Sequence, residues 1–490
     1  MGTRPLVIGV DSSTQSATAL VVAADTGEVL ARGQAPHRVS TGKARESDPD
    51  QWWDAMCQAL RETGLAHRAA AVSVAGQQHG LVTLDRQRRP VRPALLWNDV
   101  RSAVEAAALV TALGGPAASA ERVGSVLTAS FTAPKWAWLR RHEPAAADAT
   151  AAVRLPHDYL TGRLTGEPDG GTTDRGDVSG TGWWSTAREE YDTGVLDTLQ
   201  MDSSLLPRVL APGEAAGTVR AADGLPLAAG TLVASGTGDN MAAALGLGLL
   251  PGQPALSLGT SGTVYTVSAR RPADPTGVVA GFAAAHGGWL PLACTLNCTL
   301  AVDRVAALLG RDREAVEPGG DVVLLPFLDG ERTPNLPGAS GVLTGLRQDT
   351  TPGQILQAAY DGAAFALLTA LDEVLAAGGG AASDAPVLLI GGGARGVAWR
   401  ETVRRLSGRP VRVPVTGDLV ALGAAAQAAA LLTGEDPAAV ARRWGTDRGP
   451  DHAPVPRDQR TLERLTDTLR AAGPLLTGAR PAPSNGCEES

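Results

Sequence analysis

Two aspartates lie where a carboxylate could carry out chemistry. Asp11 ends the apolar run PLVIGVD, and the turn SSTQS follows it. Asp239 lies in GTGDN, before an Ala-rich helix that we expect to begin near Met241. A helix N-terminus stabilises an anion and an ordinary aspartic acid has a pKa of about 3.9, so Asp239 is predicted to be ionised at neutral pH. Such a carboxylate can accept a proton from an alcohol, although the same position also suits a plain helix cap.

Three turns rich in glycine or hydroxyl side chains could hold phosphate, because successive backbone N–H groups in a tight turn form a concave anion site. The candidate residues are Ser13, Thr14 and Gln15 in the first turn, Gly259, Thr260 and Ser261 in the second, and Gly391, Gly392, Gly393 and Ala394 in the third. None of the three turns matches the P-loop or the dinucleotide-binding pattern. Each could also be a plain hairpin or strand-to-helix turn.

Polar side chains that follow apolar stretches form a third group of candidates. They are Gln78 and His79 in GQQHG, Trp97, Asp99 and Arg101 in LLWNDVR, and Asn240 beside the second aspartate. These residue types suit recognition of sugar hydroxyls in a polyol pocket. They equally suit satisfied loops or helix caps, and the residues alone leave both readings open.

The elements that would position these residues alternate between strands and helices, which predicts an α/β fold with mixed sheets. The turn after Asp11 lies in one predicted hairpin, and the turn at 259–261 lies in another with similar residues. Two such hairpins at matching places in halves of similar length suggest a duplicated domain. We therefore predict one domain over 1–245, a second over 246–473 and a disordered tail over 474–490, which is rich in Pro, Ser, Gly and Glu.

The bulk properties exclude several classes of protein. The 490 residues are 44% hydrophobic and carry a formal net charge of −8, which argues against a nucleic-acid partner. The four cysteines are too scattered for a disulfide framework or a zinc site. We find neither a basic and apolar leader pattern nor an apolar run long enough to cross a bilayer. We therefore expect a cytoplasmic protein without a membrane partner.

The order of these motifs resembles the FGGY carbohydrate kinase family, and within it the branch that phosphorylates xylulose. The stretches SFTAPKWAWLRRH (130–142) and GVLTGLRQDTTPGQILQAAYD (341–361) look like the two family signatures. Further motifs stand in the same order, namely GQQHG, LLWNDVR, LPHDYLTGRLTGE, GTGDN, SLGTSG, FLDGERTP and LIGGGAR. Single matches of this kind are weak, whereas the full series in order is specific. The resemblance runs from about residue 6 to about residue 470.

The resemblance implies two duplicated actin-like (ribonuclease H-like) ATPase domains that flank a catalytic cleft. It implies ATP-dependent phosphorylation of D-xylulose at O5, with Asp239 as the base and Asp11 near Mg²⁺ and the transferring phosphoryl group. The polar residues of GQQHG, LLWNDVR and GTGDN would then face the sugar. The turns at 13–15 and 259–261 would hold the phosphates, and residues 391–394 would lie under the adenosine. Mg²⁺ is expected because it bridges and neutralises the phosphates.

The first turn departs from the family pattern, which has Gly before the Thr and a Lys or Arg four residues after it. Here Ser13 replaces the glycine and Thr18 replaces the cation. The missing charge could slow phosphoryl transfer, or another basic residue could supply it. The alternatives are the same chemistry on ribulose, gluconate or a pentitol, and a catalytically weak sugar-binding relative. A homodimer is one assembly that such an enzyme could form.

Overall fold

The computed structural model describes residues 4–40, 44–167, 170–222, 224–380 and 385–477. The elements up to residue 246 are β1 (Leu6–Ser12), β2 (Ser16–Ala23), β3 (Val29–Pro36), β4 (Glu46–Ser47), α1 (Pro49–Glu62), β5 (Ala69–Gly76), β6 (Val82–Leu84), β7 (Ala94–Leu95), α2 (Ala103–Ala112), α3 (Pro116–Val123), α4 (Thr132–His142), α5 (Pro144–Ala149), β8 (Ala152–Arg154), α6 (Pro156–Thr165), β9 (Thr172–Asp174), α7 (Arg175–Val178), β10 (Trp184–Ser185), β11 (Glu190–Tyr191), α8 (Thr193–Thr198), β12 (Arg208–Leu210), β13 (Ala215–Thr218), β14 (Leu232–Ala234), β15 (Thr237–Gly238) and α9 (Asp239–Gly246).

The elements after residue 246 form a second series. They are β16 (Ala255–Leu258), β17 (Gly262–Tyr265), β18 (Ala280–Ala283), β19 (Trp289–Thr295), α10 (Thr299–Leu308), β20 (Val323–Leu325), β21 (Val342–Thr344), α11 (Pro352–Ala377), β22 (Val387–Ile390), α12 (Val397–Ser407), β23 (Val411–Arg412), α13 (Leu419–Thr433), α14 (Pro437–Trp444), β24 (Asp451–His452), α15 (Gln459–Ala471) and α16 (Gly473–Leu476).

Two mixed sheets repeat one topology. The first has the order β3-β2-β1-β5-β14-β13, and its successive pairs are antiparallel, antiparallel, parallel, parallel and antiparallel. The second contains β19-β17-β16-β22-β23-β24, and its pairs follow the same sequence of directions. β16 therefore occupies in the second sheet the place that β1 occupies in the first. This match confirms the predicted α/β fold with two similar units.

One helix of the second series lies against the first sheet. Buried residues of α13 and α14 form an apolar cluster with Val7, Leu20, Val22 and Ala71 of β1, β2 and β5. The contact with β1 is close, because a Cβ at Gly9 would lie 1.8 Å from the carbonyl oxygen of Ala421. A single cut near residue 246 thus divides the sheets but leaves part of the first core on the C-terminal side.

Helices α9 and α13 cross between the sheets at two glycines. A Cβ at Gly246 would lie 2.1 Å from the carbonyl oxygen of Leu419, and a Cβ at Gly423 would lie 1.9 Å from that of Ala242. Only glycine allows backbones to approach this closely. The helix that begins with Asp239 is therefore held directly against α13.

Two observations concern the ends of elements. Asp48 caps α1 by accepting a hydrogen bond from the backbone N–H of Asp50, and Pro49 occupies the first turn of the helix. The predicted disordered tail overlaps the short helix α16, and residues 478–490 lie outside the described part of the chain.

Among the described residues, no single helix has the length and apolar character needed to cross a bilayer. Helices α2 and α3 would meet those criteria only as a pair, which is bent by 87° at its junction.

Candidate active site

The two candidate catalytic carboxylates lie at the C-terminal ends of strands in the first sheet, Asp11 in β1 and Asp239 directly after β15. Asp11 is the penultimate residue of β1, and Asp239 is the first residue of α9, with Gly238 at the N-cap. The helix therefore begins two residues earlier than the sequence indicated, and Asp239 is not its cap. Its Oδ1 accepts hydrogen bonds from the backbone N–H and the side-chain amide of Asn240, at 2.8 and 3.0 Å.

Burial governs the charge of both carboxyl groups. It raises the pKa of Asp239 to about 6, against the hydrogen bonds from the backbone N–H groups of Asn240 and Gln78, which lower it. Burial, and then the nearby negative charge of Asp239, raise the pKa of Asp11 to about 7. Asp239 is thus mostly ionised at neutral pH, as predicted, but it is a stronger base than an exposed aspartate. Oδ1 of Asp11 is buried and has no hydrogen-bond partner.

The side chains of GQQHG and GTGDN meet in front of these carboxylates. The side-chain amide of Asn240 donates a hydrogen bond to Oε1 of Gln78 at 2.8 Å. Nε2 of Gln78 and both polar side-chain atoms of Gln77 are buried without partners. Buried polar groups are normally paired, so these amides are available for a polar ligand. Gln77 belongs with Gln78 and His79 to the polar group at the end of this strand, which the sequence also allowed to be a satisfied structural loop.

His79 is held as a neutral ring. It has φ of +65°, and its Nδ1 lies 2.7 Å from the carbonyl oxygen of Gly180, to which it donates. Its ring centroid lies 5.0 Å from that of Phe131 and 5.6 Å from that of Phe282. Burial, together with the charge of Lys135, lowers the pKa of His79 to about 3. Nδ1 carries the proton, so Nε2 is left as an acceptor for a hydroxyl group.

The residues of LLWNDVR divide into two groups. Nε1 of Trp97 donates a hydrogen bond to Oγ1 of Thr14 at 3.2 Å, so the LLWNDVR segment contacts the turn at residues 13–15. Asp99 is 2% exposed and lies 2.7 Å from Arg101, whose guanidinium also lies 2.5 Å from Glu46. The structure therefore brings Trp97 to the site, whereas Asp99 and Arg101 satisfy each other in an ion-pair cluster.

The first of the three candidate phosphate turns joins β1 and β2 through residues 13–15. The backbone N–H and the hydroxyl of Ser13 both donate to the carbonyl oxygen of Ser16, at 3.0 and 2.9 Å. Ser13 thus closes the turn, although the family pattern has glycine there. Thr18, on β2, pairs directly with Asp11 and is 5% exposed. The position of the absent cation is therefore beside the carboxylate at the turn.

The second and third turns lie side by side. Residues 259–261 join β16 and β17, and Gly391 follows β22, which pairs with β16. Gly391 has φ of +83°, and a Cβ there would lie 2.9 Å from the carbonyl oxygen of Leu258. The backbone N–H and the hydroxyl of Thr299 donate to the carbonyl oxygen of Gly259, at 3.1 and 2.8 Å. The two turns form one surface at the end of the second sheet.

A cavity of about 700 Å³ opens beside the third turn, and Gly392 is part of its wall. Other residues complete the wall, among them Arg313, Val316, Gln357 and Arg395. A volume of this size accommodates a nucleoside. These residues come from the loop after α10, from α11 and from the turn before α12, and two of them lie in quoted motifs, Gln357 in the stretch 341–361 and Arg395 in LIGGGAR.

Comparison with known proteins agrees with this arrangement. A model described as the N-terminal domain of the FGGY family of carbohydrate kinases matches residues 6–246, and one for the C-terminal domain matches residues 255–432. A xylulose kinase of Streptomyces coelicolor is 70% identical over 473 residues, which is 96% of this chain and 97% of that protein. A xylulose kinase of Escherichia coli is 35% identical over 86% of this chain and 89% of its own length.

The fold of the chain is also similar to that of a solved xylulose kinase structure. The crystal structure of a xylulose kinase from Bifidobacterium adolescentis superposes with a TM-score of 0.83 and 35% sequence identity, covering 95% of this chain and 99% of that chain.

Proposed function

Because the chain belongs to the FGGY family of carbohydrate kinases, we propose that it transfers the γ-phosphoryl group of ATP to O5 of D-xylulose. The observation that carries the substrate is the 70% identity to a xylulose kinase over nearly the whole chain. The two turns and the cavity on the second sheet supply a surface for ATP, and the amides around Asp239 supply a polar pocket for the sugar. The pentose would therefore lie with its terminal hydroxyl at Asp239.

Asp239 acts on the sugar in this scheme. Its carboxylate accepts the proton of the O5 hydroxyl as the oxygen forms its bond to the γ-phosphorus and the bond from phosphorus to the bridging oxygen of ADP breaks. A pKa of about 6 suits this role, because the group is ionised at pH 7 and still takes up a proton readily. Phosphoryl transfer has a loose transition state, so the orientation of the hydroxyl matters more than the strength of the base.

Mg²⁺ fits the first turn through Asp11. The unpartnered Oδ1 of this residue lies beside the proposed phosphate turn, and magnesium typically uses one or two carboxylates together with phosphate oxygens and water. The described residues contain no group of three or more His, Cys, Asp or Glu side chains that could hold a metal by themselves. Asp11 would therefore hold the ion together with the nucleotide, and the ion would neutralise phosphate charge when bound.

A coupled assay over a panel of ketoses and polyols tests the substrate. We expect the highest kcat/KM for D-xylulose among xylulose, ribulose, gluconate, pentitols and glycerol, with ATP as the donor. A maximum on gluconate or glycerol would contradict the substrate while leaving the kinase chemistry intact. Absence of ADP formation with every sugar would favour a non-catalytic sugar-binding relative.

Two further proposals concern the cell and the assembly. We propose a cytoplasmic enzyme, because ATP and the phosphorylated sugar would both be used there, and cell fractionation tests this. The homodimer stays a prediction, and light scattering of the purified protein measures the mass of the assembly directly.

A further inference from the structure

A buried charge cluster lies behind the proposed sugar pocket and takes no part in the chemistry described above. Nδ1 of His157, on α6, lies 2.7 Å from Oδ2 of Asp177, and its Nε2 lies 3.1 Å from Oδ1 of Asp158 and 3.8 Å from Oδ1 of Asp174. All four side chains are at most 3% exposed. Three carboxyl groups thus surround one imidazole inside the protein.

The imidazole is the cation of this cluster. Burial alone would lower its pKa, but the charge of Asp158 and the hydrogen bond to Asp177 raise the pKa of His157 to about 9. Nδ1–H donates to Asp177, whereas Nε2 lies 3.1 Å from Oδ1 of Asp158 without forming a hydrogen bond to it. Removing one partner from such a group leaves a buried charge without compensation, so the geometry around it is closely fixed.

The cluster is joined to the segment that carries Asp239. Oδ2 of Asp174 accepts a hydrogen bond from the hydroxyl of Thr237 at 2.8 Å, two residues before the proposed base. A Cβ at Gly236 would lie 2.7 Å from Cδ2 of His157, and a Cβ at Gly238 would lie 3.0 Å from Oδ1 of Asp177. The backbone from 236 to 238 therefore rests directly on the imidazole and its carboxylate partner.

The short helix α7, which bears Asp177, also reaches the rest of the site. The carbonyl oxygen of Gly180, just after it, accepts from His79. The guanidinium of Arg175 donates to the carbonyl oxygens of Ala284 and Gly288, at 3.0 and 2.7 Å. α7 thus contacts the base segment, the sugar-side histidine and the second half of the chain.

We propose that His157, through Asp177 and Asp174, is a positioning residue that sets the place of Asp239 relative to the sugar hydroxyl. The cluster touches neither sugar nor nucleotide and acts by fixing the backbone from Gly236 to Gly238. This proposal rests on the proposed role of Asp239 as the base. Displacing a reacting group by about 1 Å can cost on the order of 100-fold in rate, so disturbance of the cluster should appear in kcat.

The mildest test removes one hydrogen bond. Thr237→Val keeps the size of the side chain but cannot donate to Asp174, and we expect kcat to fall about 10-fold while the KM for ATP stays within two-fold. Thr237→Ser keeps the hydroxyl and should restore most of kcat. The matched control is Thr231→Val, since Thr231 is also buried and donates one hydrogen bond, to Ala69 at the opposite end of β5. Its kcat should equal that of the wild type.

A second test replaces the buried imidazole of His157. We expect His157→Gln to lower kcat about 10- to 100-fold with a KM for ATP near the wild-type value. His157→Lys retains a positive charge among the three carboxylates and should recover part of the loss. His67→Gln, at an exposed site before the start of β5, is the control for a histidine-to-glutamine substitution away from the cluster. Circular dichroism and thermal unfolding establish that each variant is folded before its kinetics are compared.

Each outcome decides the matter. Wild-type kcat in folded Thr237→Val overturns the proposal, even if His157→Gln fails to fold. Equal losses in Thr237→Val and Thr237→Ser, or an equal rise in both KM values with kcat unchanged, would indicate packing alone and also overturn it. The role of Asp239 is judged separately, because Asp239→Asn with wild-type kcat would refute the base whatever the cluster variants do.

Discussion

The two hairpins, β1-β2 and β16-β17, have the same topology and carry different chemistry. Each has a three-residue turn, and each pairs through its first strand with a parallel neighbour. In the first hairpin the penultimate residue of the first strand is a carboxylate, Asp11, whereas in the second hairpin it is Ser257, and the turn that follows exposes Thr260. The duplicated scaffold thus presents a similar turn twice and an acidic side chain near the end of its first strand once. The comparison indicates that the two copies share a backbone arrangement and differ in the side chains that it presents.

Removing the base should have the largest effect, and it tests whether the chemistry belongs to the first half alone. Asp239→Asn keeps the shape and the hydrogen-bonding capacity at the start of α9 but cannot take up the proton of the sugar hydroxyl. We expect kcat to fall about 10²–10⁴-fold, with sugar and ATP binding largely retained. Steady-state kinetics with calorimetric binding measure both. A folded variant that phosphorylates xylulose at the wild-type rate would refute the assignment.

Paired substitutions in the two hairpins test the asymmetry directly. Asp11→Asn should lower kcat about 10²–10³-fold, because it removes the charge proposed to hold Mg²⁺ at the transferring phosphoryl group. Ser257→Ala, at the equivalent place in β16, should change kcat less than three-fold. Titration of activity with MgCl₂ gives a second readout, since only the Asp11 variant should need more metal. Similar losses in both variants would mean that the hairpins are chemically equivalent.

His79→Ala should mainly impair the use of sugar. The variant loses the Nε2 acceptor and the packing between Phe131 and Phe282, and an unpaired polar contact typically costs about 1–3 kcal/mol. We expect the KM for xylulose to rise about 10-fold or more, while the KM for ATP on the second half is unchanged. An unaltered sugar KM and kcat would remove His79 from the pocket.

The activity should fall in mild acid. Asp239 must be ionised to act, and its pKa is about 6, so kcat should drop about tenfold per pH unit below 6. The pKa of about 7 at Asp11 should make the decline in kcat begin nearer neutrality.

The free energy of unfolding should change with pH in the opposite direction to kcat. Folding raises both pKa values, so Asp11 and Asp239 stabilise the folded state at low pH, and this stabilisation is lost as the pH rises through 6 to 7. The Asn variants should therefore lose less stability between pH 5 and 8, as measured by chemical denaturation.

Restoring the family's cation should have the smallest effect. Thr18→Lys would place an ammonium group beside Asp11, on the strand opposite it. We expect a two- to five-fold gain in kcat or a lower KM for ATP if the γ-phosphate lacks a positive partner (a gain of about 1 kcal/mol corresponds to roughly five-fold). Kinetic constants equal to those of the wild type would show that charge is supplied elsewhere or is not needed.

How much of this could be predicted from sequence depended on the range of the interactions. The hairpins and the turn at Gly391 are set by residues within a few positions of one another, so their local patterns were sufficient. The places of Asp99 and Arg101 were predicted only as part of a motif, and their ion pair, together with Glu46, is seen only in the tertiary structure.

Other features have no local signal. His157 and the three carboxylates around it come from α6, β9 and α7, and no spacing rule predicts that their charges converge. The cavity beside the third turn likewise combines Arg313, Gln357 and Arg395 from separate elements, and the sequence did not predict that they meet there. The shift of the Asp239 pKa to about 6 depends on how deeply the fold buries that carboxyl, which neither its neighbours in the chain nor the helix N-terminus could reveal.

The packing of α13 on the first sheet has a consequence for synthesis. A nascent chain emerges from the ribosome N-terminus first, and the strands β1, β2 and β5 appear long before Leu419. Until α13 and α14 follow, the face that bears Val7, Leu20 and Ala71 has no cover from its own chain. During synthesis this apolar face is therefore exposed to solvent or bound by a chaperone until α13 has emerged. A chain truncated before α13 would be an aggregation-prone fragment and not a stable N-terminal domain.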